Sequence, residues 1–335
     1  MSTAAPGTAR AYWATAPGEG EVRTEPLPAP GPDEALVRAL VSGISRGTEL
    51  LVRRGGVPPS QARRMRAPFQ TGDFPFPVKY GYLSVGVVER GPDDWTGARV
   101  FCLHPHQDRY VVPVTALTRV PDAVPTARAV LTGPVETALN ALWDAPPCAG
   151  DRVAVVGGGL IGGALALLLR RFPLSRLQVV EADPDRRDRL VAAGLDAVDP
   201  DVAQGDCDLV LHASTTAPGL ALALRLAGDD AQVVELSWFG SAAPQVPLGE
   251  DFHSRRLTLV GSQVGRVGAA RRHRRDPAER LRVTLDLLAD PAFDLLLGAH
   301  RPFAGVVAAV EELARRPDLT GCVVLTYPEP GDPRP

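Results

Sequence analysis

The chain has 335 residues, of which 45% are hydrophobic and 22% are charged. This length and composition predict a folded protein of two domains and exclude a disordered scaffold. The net charge of −3 offers no overall attraction for nucleic acid or anionic lipid, so a small molecule is the expected partner.

The first third of the chain is predicted to be mainly β. Proline and glycine punctuate the first 35 residues and the tail Pro328–Pro335, where no continuous helix or sheet is expected. Short apolar or β-branched runs then predict strands over Ala35–Val41, Ser84–Glu89 and Gln107–Val114. We expect both ends of the chain to be frayed.

From Asp151 onward, strand-like and helix-like segments alternate. The predicted strands are Val153–Val156, Leu177–Glu181, Asp208–Ala213, Gln232–Leu236 and Leu257–Val260, and the helices are Leu160–Arg171, Pro184–Ala193 and Pro218–Ala227. This alternation indicates βαβ units on a parallel sheet, so the predicted fold class is α/β. Further helices are predicted over Pro277–Ala289 and Val306–Arg315, with a last strand over Cys322–Thr326.

A glycine-rich motif joins the first strand of this region to its first helix. It consists of Gly157, Gly158, Gly159, Leu160, Ile161 and Gly162. In the GxGxxG fingerprint the first glycine permits a tight turn, the second lets the backbone approach a pyrophosphate, and the third lets helix and strand pack closely. The motif in this context predicts a Rossmann domain that binds a nicotinamide dinucleotide, with the pyrophosphate at the helix N-terminus.

The choice between NAD(H) and NADP(H) depends on the end of the second strand. Glu181 stands there, where a carboxylate binds the adenosine ribose hydroxyls and repels a 2′-phosphate, so NAD(H) is favoured. Arg186 and Arg187 follow, and a phosphate clamp formed by them would permit NADP(H). The alternative interpretation places both arginines in solvent on a helix surface.

Three stretches resemble those of the medium-chain dehydrogenase/reductase superfamily, over nearly the whole chain. Residues 42–49 read Ser-Gly-Ile-Ser-Arg-Gly-Thr-Glu and are similar to the superfamily segment Gly-Ile-Cys-Gly-Thr-Asp. Residues 80–88, Tyr-Gly-Tyr-Leu-Ser-Val-Gly-Val-Val, resemble its Gly-His-Glu segment, and residues 303–310 with 321–325 resemble its closing helix and strand. The first two stretches most resemble a branch that includes the bacteriochlorophyllide hydroxyethyl dehydrogenases.

The resemblance implies a domain organisation and an assembly. A GroES-like, mainly β catalytic domain is expected over residues 1–126 and 263–335, and a Rossmann domain with a doubly wound parallel sheet over residues 127–262. A homodimer is the expected assembly.

The resemblance also implies cofactor contacts beyond the glycine motif. Backbone after the fifth and sixth Rossmann strands meets the nicotinamide in this superfamily, which here points to Leu236, Ser237 and Ser262. Ser214, which follows the strand Asp208–Ala213, is counted with them as a cofactor-binding residue.

The zinc ligands of the superfamily are not evident in this chain. At the three ligand positions it has Ser45 or Arg46, Tyr82 and Gly133, which cannot supply the thiolate and imidazole that zinc favours. The four cysteines lie far apart without a CxxC pair, and the superfamily's structural-zinc lobe is missing. We therefore expect no zinc, and free thiols in a reducing compartment.

Hydroxyl groups and histidines are then the candidates for stabilising and protonating a carbonyl oxygen. By resemblance, Thr48 matches the hydroxyl that relays the proton, and Tyr82 occupies the lost histidine position, where its phenol can donate to an oxyanion or simply pack as an aromatic. Arg46 is a candidate for binding an oxyanion or an acidic substrate, or else for pairing with Glu49. His106 is a candidate acid/base group, or else a structural histidine.

The basic run Arg271–Arg275 is the only segment of the sequence that suggests binding to nucleic acid. It lacks interleaved aromatic residues, so a solvated helix face or a subunit contact is expected, with no nucleic-acid partner.

These observations predict a zinc-independent NAD(P)-dependent oxidoreductase that acts on a secondary alcohol or ketone in specialised metabolism. One alternative is a quinone or enoyl reductase, and another is a nucleotide-sensing protein that lost catalysis with its zinc ligands. The first ten residues lack the features of a signal peptide, and the apolar run 164–169 is too short to span a bilayer. We therefore expect a cytoplasmic protein without a membrane partner.

Overall fold

The computed structural model of the chain describes residues 7–328. The chain folds into two compact units. Unit 1 comprises the chain up to Gly133, Leu285–Ala289 and the chain from Leu297 onward, and unit 2 comprises Pro134–Thr284 and Asp290–Leu296.

The strands are β1 (Gly7–Ala16), β2 (Glu19–Leu27), β3 (Glu34–Ile44), β4 (Thr71–Gly72), β5 (Val78–Lys79), β6 (Ser84–Arg90), β7 (Arg99–Cys102), β8 (Arg109–Pro113), β9 (Leu117–Arg119), β10 (Arg152–Val156), β11 (Arg176–Val180), β12 (Ala197–Val198), β13 (Cys207–His212), β14 (Ala227–Glu235), β15 (Thr258–Gly261), β16 (Leu297–Pro302) and β17 (Cys322–Thr326). The α-helices are α1 (Arg46–Arg53), α2 (Thr126–Ala129), α3 (Thr132–Asp144), α4 (Leu160–Leu169), α5 (Pro184–Ala192), α6 (Ala217–Leu226), α7 (Asp251–Ser254), α8 (Pro277–Leu287) and α9 (Val306–Arg315).

Unit 2 is built on one parallel sheet with the strand order β12-β11-β10-β13-β14-β15. The chain runs outward from β10 to β12 and then returns to the other side of β10, so the strand order reverses between β10 and β13. Open α/β sheets bind ligands at such a switch point, outside the carboxyl ends of the strands. Helix α4 is buried over most of its length, and strands β10, β11, β13 and β14 pack with α6 in one apolar core. The predicted α/β class with a doubly wound sheet is confirmed.

The compact unit 2 extends to Thr284, beyond the boundary expected near residue 263. The physical reason is the buried side chain of Arg280 on α8. Its guanidinium donates to Glu136 Oε1 on α3 at 2.9 Å and to the carbonyl oxygen of Val264 at 2.6 Å. These bonds hold the segment after β15 against α3. The other boundary lies at Gly133, where residue 126 was expected.

Unit 1 contains two mainly antiparallel sheets. One has the order β2-β1-β5-β4, and the other has the order β16-β17-β3-β6-β7-β9 with β8 paired to β3. Strand β17 joins β3 antiparallel and β16 parallel, so the end of the chain returns to the sheet of the first third. The predicted mainly β module and its returning C-terminal piece are confirmed.

The expectation of no continuous sheet in the first 35 residues is wrong, because β1 and β2 form a long antiparallel hairpin. The chain turns at Gly18, whose φ of +81° suits glycine. Pro26 pairs with Thr8 on the edge strand of the sheet, where a missing N–H costs no ladder bond. The expectation for the C-terminal tail lies largely outside the described residues.

Most other predicted elements are confirmed to within a few residues, and α9 and β17 have the predicted bounds. Helix α1 was not predicted. The run Arg271–Arg275 is an exposed turn where a helix face was one expectation, because the backbone there is not helical. Within residues 7–328, no helix has the length and apolar character needed to cross a bilayer.

Candidate functional site

The glycine motif forms a tight turn between β10 and α4. Gly157 has a φ of +100°, and a Cβ atom placed on it would lie 2.8 Å from the backbone of Ser214. A Cβ atom on Gly162 would lie 1.7 Å from the carbonyl oxygen of Gly157, so the helix packs directly on the turn. Gly159, the N-cap of α4, has open space where its Cβ atom would be. The turn therefore leaves its backbone accessible at the helix N-terminus, which fits a pyrophosphate.

Glu181 lies against this turn, next to the end of β11. Its side chain is buried, and Oε2 accepts a hydrogen bond of 2.7 Å from the N–H of Gly158. Arg186 Nη1 lies 3.2 Å from the same oxygen, and Oε1 accepts from the N–H of Asp183 at 2.9 Å. The carboxylate is thus placed beside the glycine backbone, as predicted for a residue that meets the adenosine ribose, and Arg186 is its ion-pair partner.

A chain of hydrogen bonds follows the carboxyl ends of β13 and β14. The fully buried His212 lies with Nδ1 at 2.6 Å from Glu235 Oε2 and with Nε2 at 2.6 Å from Ser214 Oγ. Ser214 Oγ is also 2.9 Å from Thr216 Oγ1. Because the backbone of Ser214 lies against Gly157, this chain of hydrogen bonds ends beside the glycine turn.

The other residues predicted to meet the nicotinamide lie at the same edge of the sheet. Leu236 donates its N–H to the carbonyl oxygen of His212 at 3.0 Å, and the N–H of Ser237 donates to Glu235 Oε1 at 2.6 Å. Ser262 donates its hydroxyl to Asp144 Oδ2 at 2.7 Å. The structure therefore brings Leu236 and Ser237 close to the chain of hydrogen bonds, whereas the hydroxyl of Ser262 is directed to α3.

In unit 1, Tyr82 meets the start of helix α1. The hydroxyl groups of Ser45 and Thr48 lower the pKa of its phenol, against the larger effect of burial. Burial and the nearby Glu49 carboxylate raise the pKa of Tyr82 to about 12. The phenol consequently stays protonated at neutral pH and is able to donate its proton.

His106 belongs to a second buried chain of hydrogen bonds in unit 1. Its Nε2 lies 2.8 Å from Glu49 Oε2, its Nδ1 lies 2.8 Å from Ser42 Oγ, and Ser42 Oγ lies 2.9 Å from the Tyr327 hydroxyl. The side chain of His106 is completely buried. Both ring nitrogens therefore have buried partners, which is the arrangement expected for the structural alternative.

Arg46 reaches the loop after α9. Its Nη1 donates to the carbonyl oxygens of Arg316 and Leu319 at 3.0 and 3.1 Å. The alternative partner expected for it, Glu49, accepts from the N–H of Ser45 at 2.7 Å and pairs with His106. The structure thus gives Arg46 main-chain partners that connect α1 with the end of the chain.

The positions that would hold zinc do not fit the metal. Tyr82 occupies one of them, and Ser45 or Arg46 occupies another. At Gly133 a Cβ atom would lie 2.4 Å from Leu83 Cδ2, so the place of a third ligand side chain is occupied by a leucine. Within residues 7–328, no three His, Cys, Asp or Glu side chains form a group suited to a metal ion. Hydroxyl groups and leucine are poor partners for Zn²⁺.

The sequence interpretation missed His212 and Glu235. Each ends one of two neighbouring parallel strands, in the pair His212↔Glu235. Because the carboxyl ends of parallel strands meet at one edge of the sheet, an acidic and an imidazole side chain at two successive strand ends were a detectable signal.

No protein-family model matches the chain, and no curated protein matches it in sequence. Solved structures resemble it over almost its whole length. L-idonate 5-dehydrogenase from Escherichia coli K-12 has a TM-score of 0.80 at 15% identity, with 97% of this chain and 100% of that chain covered.

Two further similar structures were solved with a nicotinamide dinucleotide. A short chain alcohol dehydrogenase from Escherichia coli CFT073, complexed with NADH, has a TM-score of 0.76 at 18% identity, covering 96% of this chain and 99% of that chain. A putative zinc-binding dehydrogenase from Sinorhizobium meliloti 1021, bound to NADP, has a TM-score of 0.76 at 20% identity with the same coverage. The chain therefore has the fold of these dehydrogenases, a Rossmann domain combined with a GroES-like domain.

Proposed function

We propose that the chain is a zinc-independent, NAD(P)-dependent oxidoreductase that interconverts a secondary alcohol and a ketone. The observation that carries this proposal is the glycine turn, whose backbone is open at Gly159 and whose neighbour Glu181 supplies a buried carboxylate. The fold shared with dehydrogenases that bind NADH or NADP supports it.

The residues of unit 2 are proposed to hold the dinucleotide. The backbone at Gly159 and at the N-terminus of α4 would bind the pyrophosphate, and Glu181 would accept hydrogen bonds from the adenosine ribose. Since the carboxylate repels a 2′-phosphate, NAD(H) is the proposed cofactor, with Arg186 already paired to that carboxylate. When bound, the nicotinamide supplies or accepts the hydride.

The residues of unit 1 are proposed to handle the proton. A ketone oxygen gains negative charge as hydride reaches its carbon, so it needs a hydrogen-bond donor and finally a proton. The phenol of Tyr82 keeps its proton at neutral pH because its pKa is raised to about 12. Proton donation would leave Tyr82 as a phenolate beside the hydroxyl groups of Ser45 and Thr48, which lower its pKa. In the reverse reaction this phenolate would accept the proton of the alcohol.

The proposal is tested by steady-state turnover on a panel of ketones, secondary alcohols and enones, followed by nicotinamide absorbance. Tyr82→Phe and Thr48→Ala should each lower kcat for the best ketone, by about 100-fold for Tyr82→Phe, because general acid catalysis contributes roughly that much. Tyr80→Phe is the matched control, since it removes a phenol hydroxyl from the same segment and should retain turnover.

Three outcomes of this experiment contradict the proposal or part of it. Full turnover in both Tyr82→Phe and Thr48→Ala would remove these residues from the proton transfer. Saturation of an enone at its conjugated bond, with no turnover of simple ketones, would replace the proposal with an enoyl or quinone reductase. Binding of NADH without turnover on any member of the panel would instead indicate a nucleotide-sensing protein.

The resemblance to the bacteriochlorophyllide hydroxyethyl dehydrogenases supports a narrower proposal. That branch suggests a specialised metabolic substrate with a secondary hydroxyl group on a larger molecule, and a dimeric cytoplasmic enzyme. Including bulky 1-hydroxyethyl aromatic compounds in the same panel addresses the substrate, because a preference for small linear alcohols would contradict it.

A further inference from the structure

In the hydrogen-bond chain Glu235–His212–Ser214, the chemistry of each group determines which atom donates and which accepts. An ionised carboxylate only accepts hydrogen bonds, so Glu235 accepts one from the N–H of Ser237 at 2.6 Å and one from Nδ1 of His212 at 2.6 Å. With Nδ1 as the donor, a neutral imidazole has its lone pair on Nε2, and this is the form of His212 that the proposal below requires. The hydroxyl proton of Ser214, at 2.6 Å from Nε2, is therefore directed to His212.

The remaining contacts of Ser214 show which hydrogen-bonding capacity of its Oγ is left for a ligand. Thr216 Oγ1 accepts the N–H of Gly219 at 3.1 Å and lies 2.9 Å from Ser214 Oγ, so it donates its own proton to that oxygen. A hydroxyl oxygen accepts two hydrogen bonds. Ser214 Oγ thus retains one lone pair for a ligand and has no proton to give. A phosphate oxygen cannot use this lone pair, whereas a ribose hydroxyl can.

The order of the strands indicates which of the two riboses of the dinucleotide would lie near Ser214. Glu181 follows β11 on one side of the glycine turn, and Ser214 follows β13 on the other side. If the pyrophosphate rests on the turn and the adenosine ribose meets Glu181, the second half of the dinucleotide extends across the β13 side.

The loop that carries Ser214 is also held in an unusual conformation. Thr215 has a φ of +56°, which is a strained value for a β-branched residue. Its N–H donates to Ser237 Oγ at 3.1 Å, so the loop after β13 is connected to the loop after β14. Strain retained in this way is typical of functional loops.

We propose that Glu235 and His212 hold the Ser214 hydroxyl as a hydrogen-bond acceptor for the nicotinamide-side ribose of the bound dinucleotide. Ser214 touches the cofactor in this proposal, and His212 and Glu235 are positioning residues. The inference rests on the dinucleotide site of the proposed function, but it does not depend on which substrate is reduced.

The test compares two ligands that differ by this ribose. ADP-ribose carries the second ribose without the nicotinamide ring, and ADP lacks it. We expect wild-type protein to bind ADP-ribose more tightly than ADP in calorimetric titrations. Ser214→Ala should weaken ADP-ribose binding about fivefold, the effect of one hydrogen bond, and leave ADP binding unchanged. Ser254→Ala, which removes an exposed hydroxyl elsewhere in unit 2, is the matched control.

An equal loss for both ligands in Ser214→Ala, or no loss for either, would overturn the inference, as would the absence of ADP-ribose binding to the wild type. These outcomes are distinct from failure of the proposed function. If the ligand difference is present but no carbonyl or alcohol compound is turned over, only the oxidoreductase proposal fails. If turnover is present and Ser214→Ala binds both ligands normally, only this inference fails.

The positioning role has its own spectroscopic readout. Nitrogen-15 NMR of the imidazoles, with the His212 signals assigned by their loss in His212→Gln, should show the Nδ1–H tautomer in the wild type. Glu235→Gln offers an amide donor in place of the carboxylate acceptor and should shift His212 to the Nε2–H tautomer. An Nε2–H tautomer in the wild type would overturn the proton order.

Discussion

His104 is a buried imidazole whose protonation opposes folding. It stacks on Tyr110 with ring centroids 3.8 Å apart and donates Nδ1–H to the carbonyl oxygen of Pro105. Burial lowers its pKa from 6.5 to about 3, so the unfolded chain binds a proton that the folded chain does not over this range. The contribution of the neutral form is fully present above pH 6.5 and is lost as pH falls toward 3.

We expect His104→Phe, which retains the stacking but cannot titrate, to lose less unfolding free energy than the wild type when pH is lowered from about 7.5 to 4.5. The difference should approach roughly 2–3 kcal/mol, because each pH unit below the unfolded pKa costs about 1.4 kcal/mol. Urea unfolding at both pH values measures it. The exposed His273→Asn should change nothing, and equal losses in wild type and His104→Phe would refute the prediction.

Single residues also show where sequence reasoning stops. Thr48 and Tyr82 were predictable as neighbours by resemblance, but the partners of His106 were not. Glu49 on α1 and Ser42 on β3 lie 57 and 64 residues from it in the chain, and only tertiary folding brings them to one imidazole. A histidine's type indicates that it can exchange a proton, whereas its burial decides whether it meets a substrate.

At the scale of elements, glycine has two roles in the turn between β10 and α4. Gly162 allows the helix to pack closely on the turn, and Gly159 leaves space for a ligand. Gly162→Ala should destabilise the protein by about 1–3 kcal/mol, because its methyl group overlaps the carbonyl oxygen of Gly157. Gly159→Ala meets open space and should fold with near wild-type stability. Its methyl group would nevertheless block the approach of a pyrophosphate, so NAD+ affinity should fall at least tenfold. Urea unfolding and NAD+ titration of both variants measure these effects.

The two glycine variants control for each other. A Gly159→Ala protein that binds NAD+ as the wild type does would show that the pyrophosphate does not rest on this turn. A Gly162→Ala protein of unchanged stability would show that the helix can move away from the strand without cost.

The elements of unit 2 were predictable because buried parallel strands are continuous apolar runs between helices of similar length. The hairpin β1–β2 was not, because prolines in and next to it were taken as interruptions. Pro26 is tolerated at the sheet edge, and the sequence alone does not show which strand will be at an edge.

At the scale of the whole molecule, the sequence predicts a domain boundary near residue 263, whereas the compact unit 2 extends to Thr284. The shift of the domain boundary from residue 263 to Thr284 depends on Arg280. Nothing in the sequence distinguishes this residue from the other arginines of the chain. Its burial against Glu136 on α3 is a tertiary contact without a local signal.

The proposed zinc independence is likewise a question for the whole molecule, because ligands could come from distant parts of the chain. Within residues 7–328, no three His, Cys, Asp or Glu side chains form such a group. We expect protein purified from zinc-supplemented medium to contain far less than one zinc per chain by elemental analysis. A strong chelator should leave both turnover and the melting temperature unchanged, since no ligand binding to the folded state is removed. A zinc-dependent alcohol dehydrogenase treated in parallel should lose activity. One zinc per chain, or inactivation by the chelator, would contradict the proposal and require ligands other than Ser45, Tyr82 and Gly133.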